Sequence, residues 1–209
     1  MATGPPRLVS SAGRPGRRGR RLSRSFYRRD PLDVGPELLN KVLVNGRRAG
    51  RIVEVEAYCG ALDPASHAYR GPTARNATMF GPPGGLYVYF TYGMHWCANV
   101  VCAEDGIAGA VLLRALAPLR GIEEMLAARP AARYERDLCS GPAKLCQALG
   151  IDRSLDGADL PTADRGVTVV DDGHAPPSEP GCSGRIGINV GTDAPWRWFV
   201  PGDANVSGR

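Results

Sequence analysis

The sequence predicts an α+β fold: a single compact domain with a curved antiparallel sheet, a protruding β-hairpin and flanking helices. Three observations lead there. Residues 50–58 alternate, with Val53, Val55 and Ala57 on one side and Glu54, Glu56 and Tyr58 on the other. Between residues 86 and 116, three strand-like runs are separated by turn signals at Gly93 and Asp105-Gly106, the pattern of an antiparallel meander. Helical stretches flank these runs. A chain of 209 residues that is 43% apolar suits one domain with a real core.

In chain order, residues 1–29 read as a flexible arm of Gly, Pro, Ser and Arg, and residues 30–209 as the folded domain. Asp30-Pro31 starts a helix over about 31–43, with Leu38, Leu39, Val42 and Leu43 as its apolar face. Gly35-Pro36 would break or restart it, and Asn45-Gly46 marks a turn. The strand at 50–58 follows. Residues 60–85, rich in Gly, Pro and Ala, read as a long loop, and a loop of that length in a compact domain is usually functional or disordered. Strands are expected at 86–92, 95–102 and 109–116, with helices at about 119–129 and 142–150. The stretch 151–184 reads as loop with a short strand at Val167–Val170, and Arg185–Asn189 and Trp196–Val200 read as closing strands.

Charge is unevenly placed. Residues 1–29 hold nine Arg and no acid, whereas residues 30–209 hold 17 basic and 21 acidic residues. An Arg-rich arm gives salt-sensitive, sequence-independent attraction to a phosphate polyanion; it equally fits a targeting or unstructured terminus. No apolar run is long enough for a membrane span, and the start lacks the core of a secretory signal, so an intracellular protein is expected. The six cysteines include no C-x-x-C pair and read as free thiols. The three histidines, at 67, 95 and 174, are too scattered for a recognisable zinc site, and no metal or cofactor is expected. Neither G-x-G-x-x-G nor a P-loop is present, which argues against a transferase-like relative that needs a cofactor.

The residues that carry chemistry lie between 51 and 116. A half-buried glutamate beside a substrate can act as general base on a water. Cleavage of a glycosidic bond develops positive charge at the sugar, which a nearby carboxylate stabilises. Aromatic rings bind a flat, electron-poor base, most strongly when it is cationic. Glu56 sits on the same strand face as Tyr58, and Tyr89 and His67 supply further rings. Tyr92 precedes the Gly93 turn, where a side chain can wedge into a base stack. Each residue also has a plainer reading. Glu56 could be salt-bridged, Tyr87 and Tyr89 could be sheet packing, His67 a hydrogen-bonded structural residue, and Asn99 a partner for local backbone. Arg114, in an apolar strand, needs an acid such as Glu56 or a route to solvent.

The text at these positions closely resembles the alkyladenine (3-methyladenine) DNA glycosylases of the methylpurine-glycosylase type. The matching residues are Gly50–Tyr58, His67, Arg75-Asn76, Met79-Phe80, Gly84 to Met94, Asn99, Val111–Ala115 and Leu138–Leu149. Arg185-Ile-Gly-Ile and Trp196 to Ser207 also fit, so the resemblance spans about residues 30–207. His95-Trp96 beyond the turn and the arm at 1–29 depart from it.

The resemblance implies a monofunctional enzyme that flips a damaged purine out of double-stranded DNA and hydrolyses its N-glycosidic bond. It implies Glu56 as the general base and Arg114 as the group holding base and water. Tyr58 would lie on one face of the purine, with His67 and Tyr89 on the other. Tyr92 would intercalate, Met94 would flank the flipped nucleotide, and Asn99 would disfavour the exocyclic amine of guanine. Lys144 is expected to be structural or to contact phosphate. A monomer is the expected state. The competing reading is a non-catalytic module that only recognises lesions.

Overall fold

The computed structural model describes residues 19–208. The expected arm divides here: residues 1–18 lie outside the described residues, and Gly19–Arg29 belong to the fold. Strand β1 (Arg20–Arg21) pairs with Val170 and Asp171, and helix α1 (Arg24–Tyr27) follows. Leu22 and Tyr27 are part of the main core. Apolar burial therefore begins inside the stretch that charge alone marks as an arm.

Helix α2 (Pro31–Leu38) is capped by Asp30, whose carboxylate accepts from the Leu32 N–H, and Pro31 sits where no N–H is needed. The helix is shorter than expected. Asn40 takes a left-handed conformation (φ 66°), and Val42 and Leu43 fall in strand β2 (Val42–Asn45) instead. Leu38, Leu39 and Leu43 are wholly buried and Val42 nearly so; such an apolar run fits helix and strand alike until packing decides. Gly35 is closely packed, since a Cβ there would stand 3.0 Å from the Trp198 ring.

Strand β3 (Arg48–Tyr58) is the spine of the sheet. Residues 42–45 pair along one edge of its first half, and Ala110–Arg120 (β6) along the opposite edge. The expected long loop carries only short 3-10 turns at Gly60–Leu62 and Ala77–Phe80. Strands β4 (Gly85–Thr91) and β5 (His95–Val101) form a hairpin, and β5 pairs with β6 to complete the meander. Helices α3 (Ile122–Ala128) and α4 (Pro142–Leu149) follow. Gly150, left-handed at φ 70°, ends α4 by turning its N–H back to the Cys146 and Gln147 carbonyls. The short strands β7 (Ala158–Asp159), β8 (Val167–Asp171), β9 (Gly181–Ser183) and β10 (Arg197–Phe199) close the molecule. Arg185–Asn189 is not a strand but irregular chain, interrupted by Gly187 and flanked by Gly184 and Gly191.

All pairings in the sheet are antiparallel, in the order β1-β8-β2-β3-β6-β5-β4-β7, with β10 joining the second half of β3 through Arg197↔Glu56 and β9 beyond it. The result is a curled sheet with a few helices in one compact α+β domain, the expected class. Register sorts the side chains. Val55, Val111, Leu113, Val100, Ala98, Val88 and Leu86 lie on the core face, packed with α2 and α4 residues such as Leu38, Leu145 and Leu149. Cutting Leu113, fully buried there, to Ala would cost about 2–5 kcal/mol. The opposite face of the same strands carries polar and aromatic residues beside the apolar Leu112 and Cys97.

Candidate active site

Alternation places Glu54, Glu56 and Tyr58 together on β3. The pairs Glu56↔Leu112, Leu112↔Asn99, Asn99↔Tyr87 and Tyr89↔Cys97 then carry that face across β6, β5 and β4. Arg114, two residues beyond Leu112, shares it. The register with β3 is irregular between Ile52 and Val55, so the sheet bends where Glu54 meets Arg114.

The two carboxylates have different surroundings. Both are fully buried. Glu54 Oε1 accepts from Arg114 Nε (2.8 Å), Arg197 Nε (2.7 Å) and Ser207 Oγ (2.8 Å), and its Oε2 from the Ser207 N–H (2.6 Å). Burial pushes its pKa up, but the Ser207 N–H, Arg197 and Arg114 together outweigh burial and hold it below the ordinary glutamate value. Four donors serve it, three of them on Oε1, so Glu54 is the more heavily bonded of the two and acts as an anchor.

Glu56 is less satisfied. Its Oε1 takes the Ile186 N–H (2.7 Å) and pairs with Arg114 Nη1 (3.1 Å), while its Oε2 takes the Tyr58 hydroxyl (3.0 Å). By count, one acceptor position remains. Burial raises its pKa, and Arg114, the Ile186 N–H and Tyr58 offset that only in part. A carboxylate with a raised pKa and an open lone pair is a better proton acceptor than its neighbour two residues away.

Above this pair lies a cavity of about 520 Å³, within the range of roughly 300–1,000 Å³ typical of small-molecule sites. Tyr58, His67, Tyr87, Tyr89, Asn99 and Arg114 line it. Tyr87 and Tyr89 stack with centroids 5.4 Å apart, and His67 meets Tyr89 edge to face at 4.5 Å. His67 Nδ1 lies 3.1 Å from the Tyr87 hydroxyl. Burial, reinforced by Arg75, lowers the His67 pKa and so favours the neutral ring. Asn99 donates from Nδ2 to the Tyr87 carbonyl (3.2 Å), which fixes its amide on the cavity floor.

The hairpin tip stands at the cavity's edge. Tyr92 (φ 49°) and Gly93 (φ 66°) are both left-handed, and the Met94 N–H closes the turn on the Thr91 carbonyl, as in type I′ turns. Tyr92 is 81% exposed yet contributes to the cavity wall. Met94 is 68% exposed at the same tip and is not part of that wall. So Tyr58, His67, Tyr89, Tyr92, Asn99 and Arg114 share one cavity, with Glu56 beneath it and Met94 beside it.

Sequence reasoning did not assign Glu54, Arg197, Ser207, Arg185 or Asp63. Glu54 was visible as the second carboxylate of the strand face, but its three partners come from positions up to 153 residues away. The chain from Ile186 to Val190 lines the cavity because the Ile186 N–H goes to Glu56 rather than to a strand ladder. Among the described residues, no group of three or more His, Cys, Asp or Glu is arranged to hold a metal ion, and no helix is long and apolar enough to cross a membrane. All six cysteines are free thiols.

The fold and site together define a single-domain protein suited to holding a flat ring over a buried, ion-paired carboxylate. The chain belongs to the methylpurine-DNA glycosylase family, whose model matches residues 25–204. It is 62% identical over 188 residues to a protein of Burkholderia lata provisionally named a 3-methyladenine DNA glycosylase, covering 90% of this chain and 91% of that one. Proteins with the same provisional name from Streptomyces avermitilis (47% over 192 residues; 89% and 90% covered) and Koribacter versatilis (48% over 194 residues; 90% and 93%) are also similar. These relationships support a DNA glycosylase role in repair of alkylated bases.

Proposed function

We propose that this protein is a monofunctional DNA glycosylase that flips alkylated or deaminated purines out of duplex DNA and hydrolyses the N-glycosidic bond. The substrate class comprises 3-methyladenine, with 7-methylguanine, hypoxanthine and ethenoadenine as further candidates. The observation that carries the reading is Glu56, buried, paired to Arg114 and holding a free acceptor position beneath an aromatic cavity.

In this mechanism Glu56 accepts a proton from a water as its oxygen bonds to the sugar C1′. The C1′–N bond breaks and the purine leaves with the bonding electrons, giving an abasic site. Arg114 keeps Glu56 oriented and shares its charge; its link to Glu54 prevents it from following the substrate. Tyr58 supports one face of the purine and His67 with Tyr89 the other. Tyr92 fills the gap left in the duplex and Met94 flanks the flipped nucleotide. Asn99, fixed by Tyr87, meets the purine edge where an exocyclic amine of guanine would lack room or a partner. A positively charged base leaves without further help and binds the rings by cation–π attraction. One copy of the chain supplies every one of these groups, which fits a monomer.

The test is release of free base from an oligonucleotide carrying one hypoxanthine and from methylated DNA. Wild type is expected to release base and Glu56→Gln to bind the lesion without release, a loss on the order of 10²–10⁴-fold. Lesion binding with no release by wild type would instead support the recognition-module reading. In the same assay Asn99→Ser is expected to release normal guanine above the wild-type background; an unchanged background would remove Asn99 from specificity.

A further inference from the structure

Arg185 is fully buried at the side chain and belongs to no step above. Its guanidinium forms a two-pronged pair with Asp63, Nη1–Oδ2 at 2.5 Å and Nη2–Oδ1 at 2.8 Å, and the Asp63 side chain is fully buried as well. Nη1 also donates to the Ala57 carbonyl (3.0 Å), between Glu56 and Tyr58 on β3, and Nη2 to the Gly191 carbonyl (3.3 Å). The guanidinium carbon lies 4.7 Å from the Tyr58 ring centre and 5.0 Å from that of Trp196. The residue after it, Ile186, gives its N–H to Glu56. One planar group thus touches the strand carrying the carboxylate, the ring that lines the cavity, and the loop that supplies a donor to the carboxylate.

We propose that Arg185, clamped by Asp63, is a positioning residue for base excision: it fixes the Tyr58 ring and holds the Ile186 N–H against Glu56. This rests on the glycosylase reading above. Three physical reasons single it out. The loop at 184–191 is glycine-rich, with Gly187 and Gly191 left-handed, and it belongs to no strand that would hold it in a ladder. Only a forked cation can bond Asp63, Ala57 and Gly191 together while stacking on two rings; lysine has the charge but neither the fork nor the plane. Catalytic groups misplaced by about 1 Å lose about 100-fold in rate, so a small release of this loop has a large effect on chemistry.

The groups facing Glu56 are Arg114 from β6, Tyr58 from its own strand and the Ile186 N–H, with Arg185 behind them and Glu54 and Arg197 on the neighbouring anchor. Loosening the Ile186 loop removes a donor that favours the charged carboxylate, and removing Arg185 takes away a cation, so both act in the same direction. The experiment uses full-length wild type, Arg185→Lys, Arg185→Gln and Asp63→Asn, each checked for cooperative melting. Single-turnover excision is measured against pH, and the Glu56 carboxyl is titrated by carbon NMR, its signal assigned with Glu56→Gln. Arg185→Gln is expected to lose about 100-fold in the excision step, with Arg185→Lys intermediate and the acid limb and Glu56 titration both moved to higher pH. Asp63→Asn, which keeps the shape of the carboxylate, is expected to show the same shift in smaller measure. A uniform loss of rate with the acid limb and the Glu56 titration unmoved overturns the proposal and leaves Arg185 a purely structural ion pair. Should Arg185→Gln not fold, Arg185→Lys and Asp63→Asn decide by the same criterion. If wild type releases no base, the glycosylase reading fails on its own, and the NMR titration still decides whether Arg185 positions the Ile186 donor.

Discussion

At the scale of single residues, Glu54 and Glu56 are two residues apart, equally buried and joined by one arginine, yet their surroundings push their pKa values in opposite directions. Glu54, held low, contributes stability that is complete above the ordinary glutamate pKa of about 4.3 and is lost as pH falls through its folded value. Glu56, held high, works the other way: its contribution is complete below the ordinary value and is lost as pH rises through its folded value. Glu54→Gln is therefore expected to destabilise by about 3–5 kcal/mol at neutral pH, because it leaves Arg114 and Arg197 short of a charge partner. Glu56→Gln is expected to fall within about 1 kcal/mol of wild type and to gain on it between acid and neutral pH. Denaturant melts of both variants across that range check the pair. With Glu56 as the proposed base, the excision rate follows the same logic, since only its ionised form would accept a proton. Its acid limb is expected above the ordinary glutamate value; a limb at or below that value would point to another base.

At the scale of elements, the β4–β5 hairpin combines two demands. Its type I′ turn favours residues tolerant of positive φ, and Asn-Gly would be the more comfortable choice. Tyr92 occupies the first of those positions at φ 49°, where a bulky residue is held at a cost of about 1–2 kcal/mol. Stability alone gives no reason for an exposed ring in a disfavoured conformation, and the proposed wedge role would supply one. Tyr92→Asn is expected to leave the melting temperature unchanged or slightly raised. The same variant is expected to reduce excision of a lesion paired in duplex DNA about 10-fold or more, with excision from single-stranded DNA much less affected. Equal loss on both substrates would count against intercalation. Arg185–Asn189 looks like a strand by composition, but its Ile186 N–H goes to Glu56 instead of to a neighbouring strand.

For the molecule as a whole, truncation can separate the core role of Gly19–Arg29 from the DNA contact proposed for residues 1–18. Leu22 and Tyr27 belong to the core, so removing residues 1–29 is expected to lower stability by about 3–5 kcal/mol, as for loss of a buried aromatic. Residues 1–18 carry four of the nine arginines. If all four contact phosphate, their removal lowers the dependence of DNA affinity on log salt by about 3–4, with the melting curve unchanged. An unchanged slope would show that this segment does not touch DNA.

The sequence by itself determined the α+β class, the meander at residues 86–116 and the strand that sets Glu54, Glu56 and Tyr58 on one face. Each of these follows from local periodicity and turn chemistry, which leave a direct mark on neighbouring residues. It also brought out the cavity residues, although Glu56 was separated from Glu54 only by family resemblance. Tertiary structure alone decided the rest: that α2 stops at Leu38, that Gly19–Arg29 joins the core, that Glu54 is anchored by Arg197 and Ser207, and that Arg185 locks onto Asp63. The physical reason is range. A side chain's hydrogen-bond partners and its burial are set by which distant segments fold against it. Whether a buried carboxylate becomes an anchor or a base depends on how many of those partners arrive.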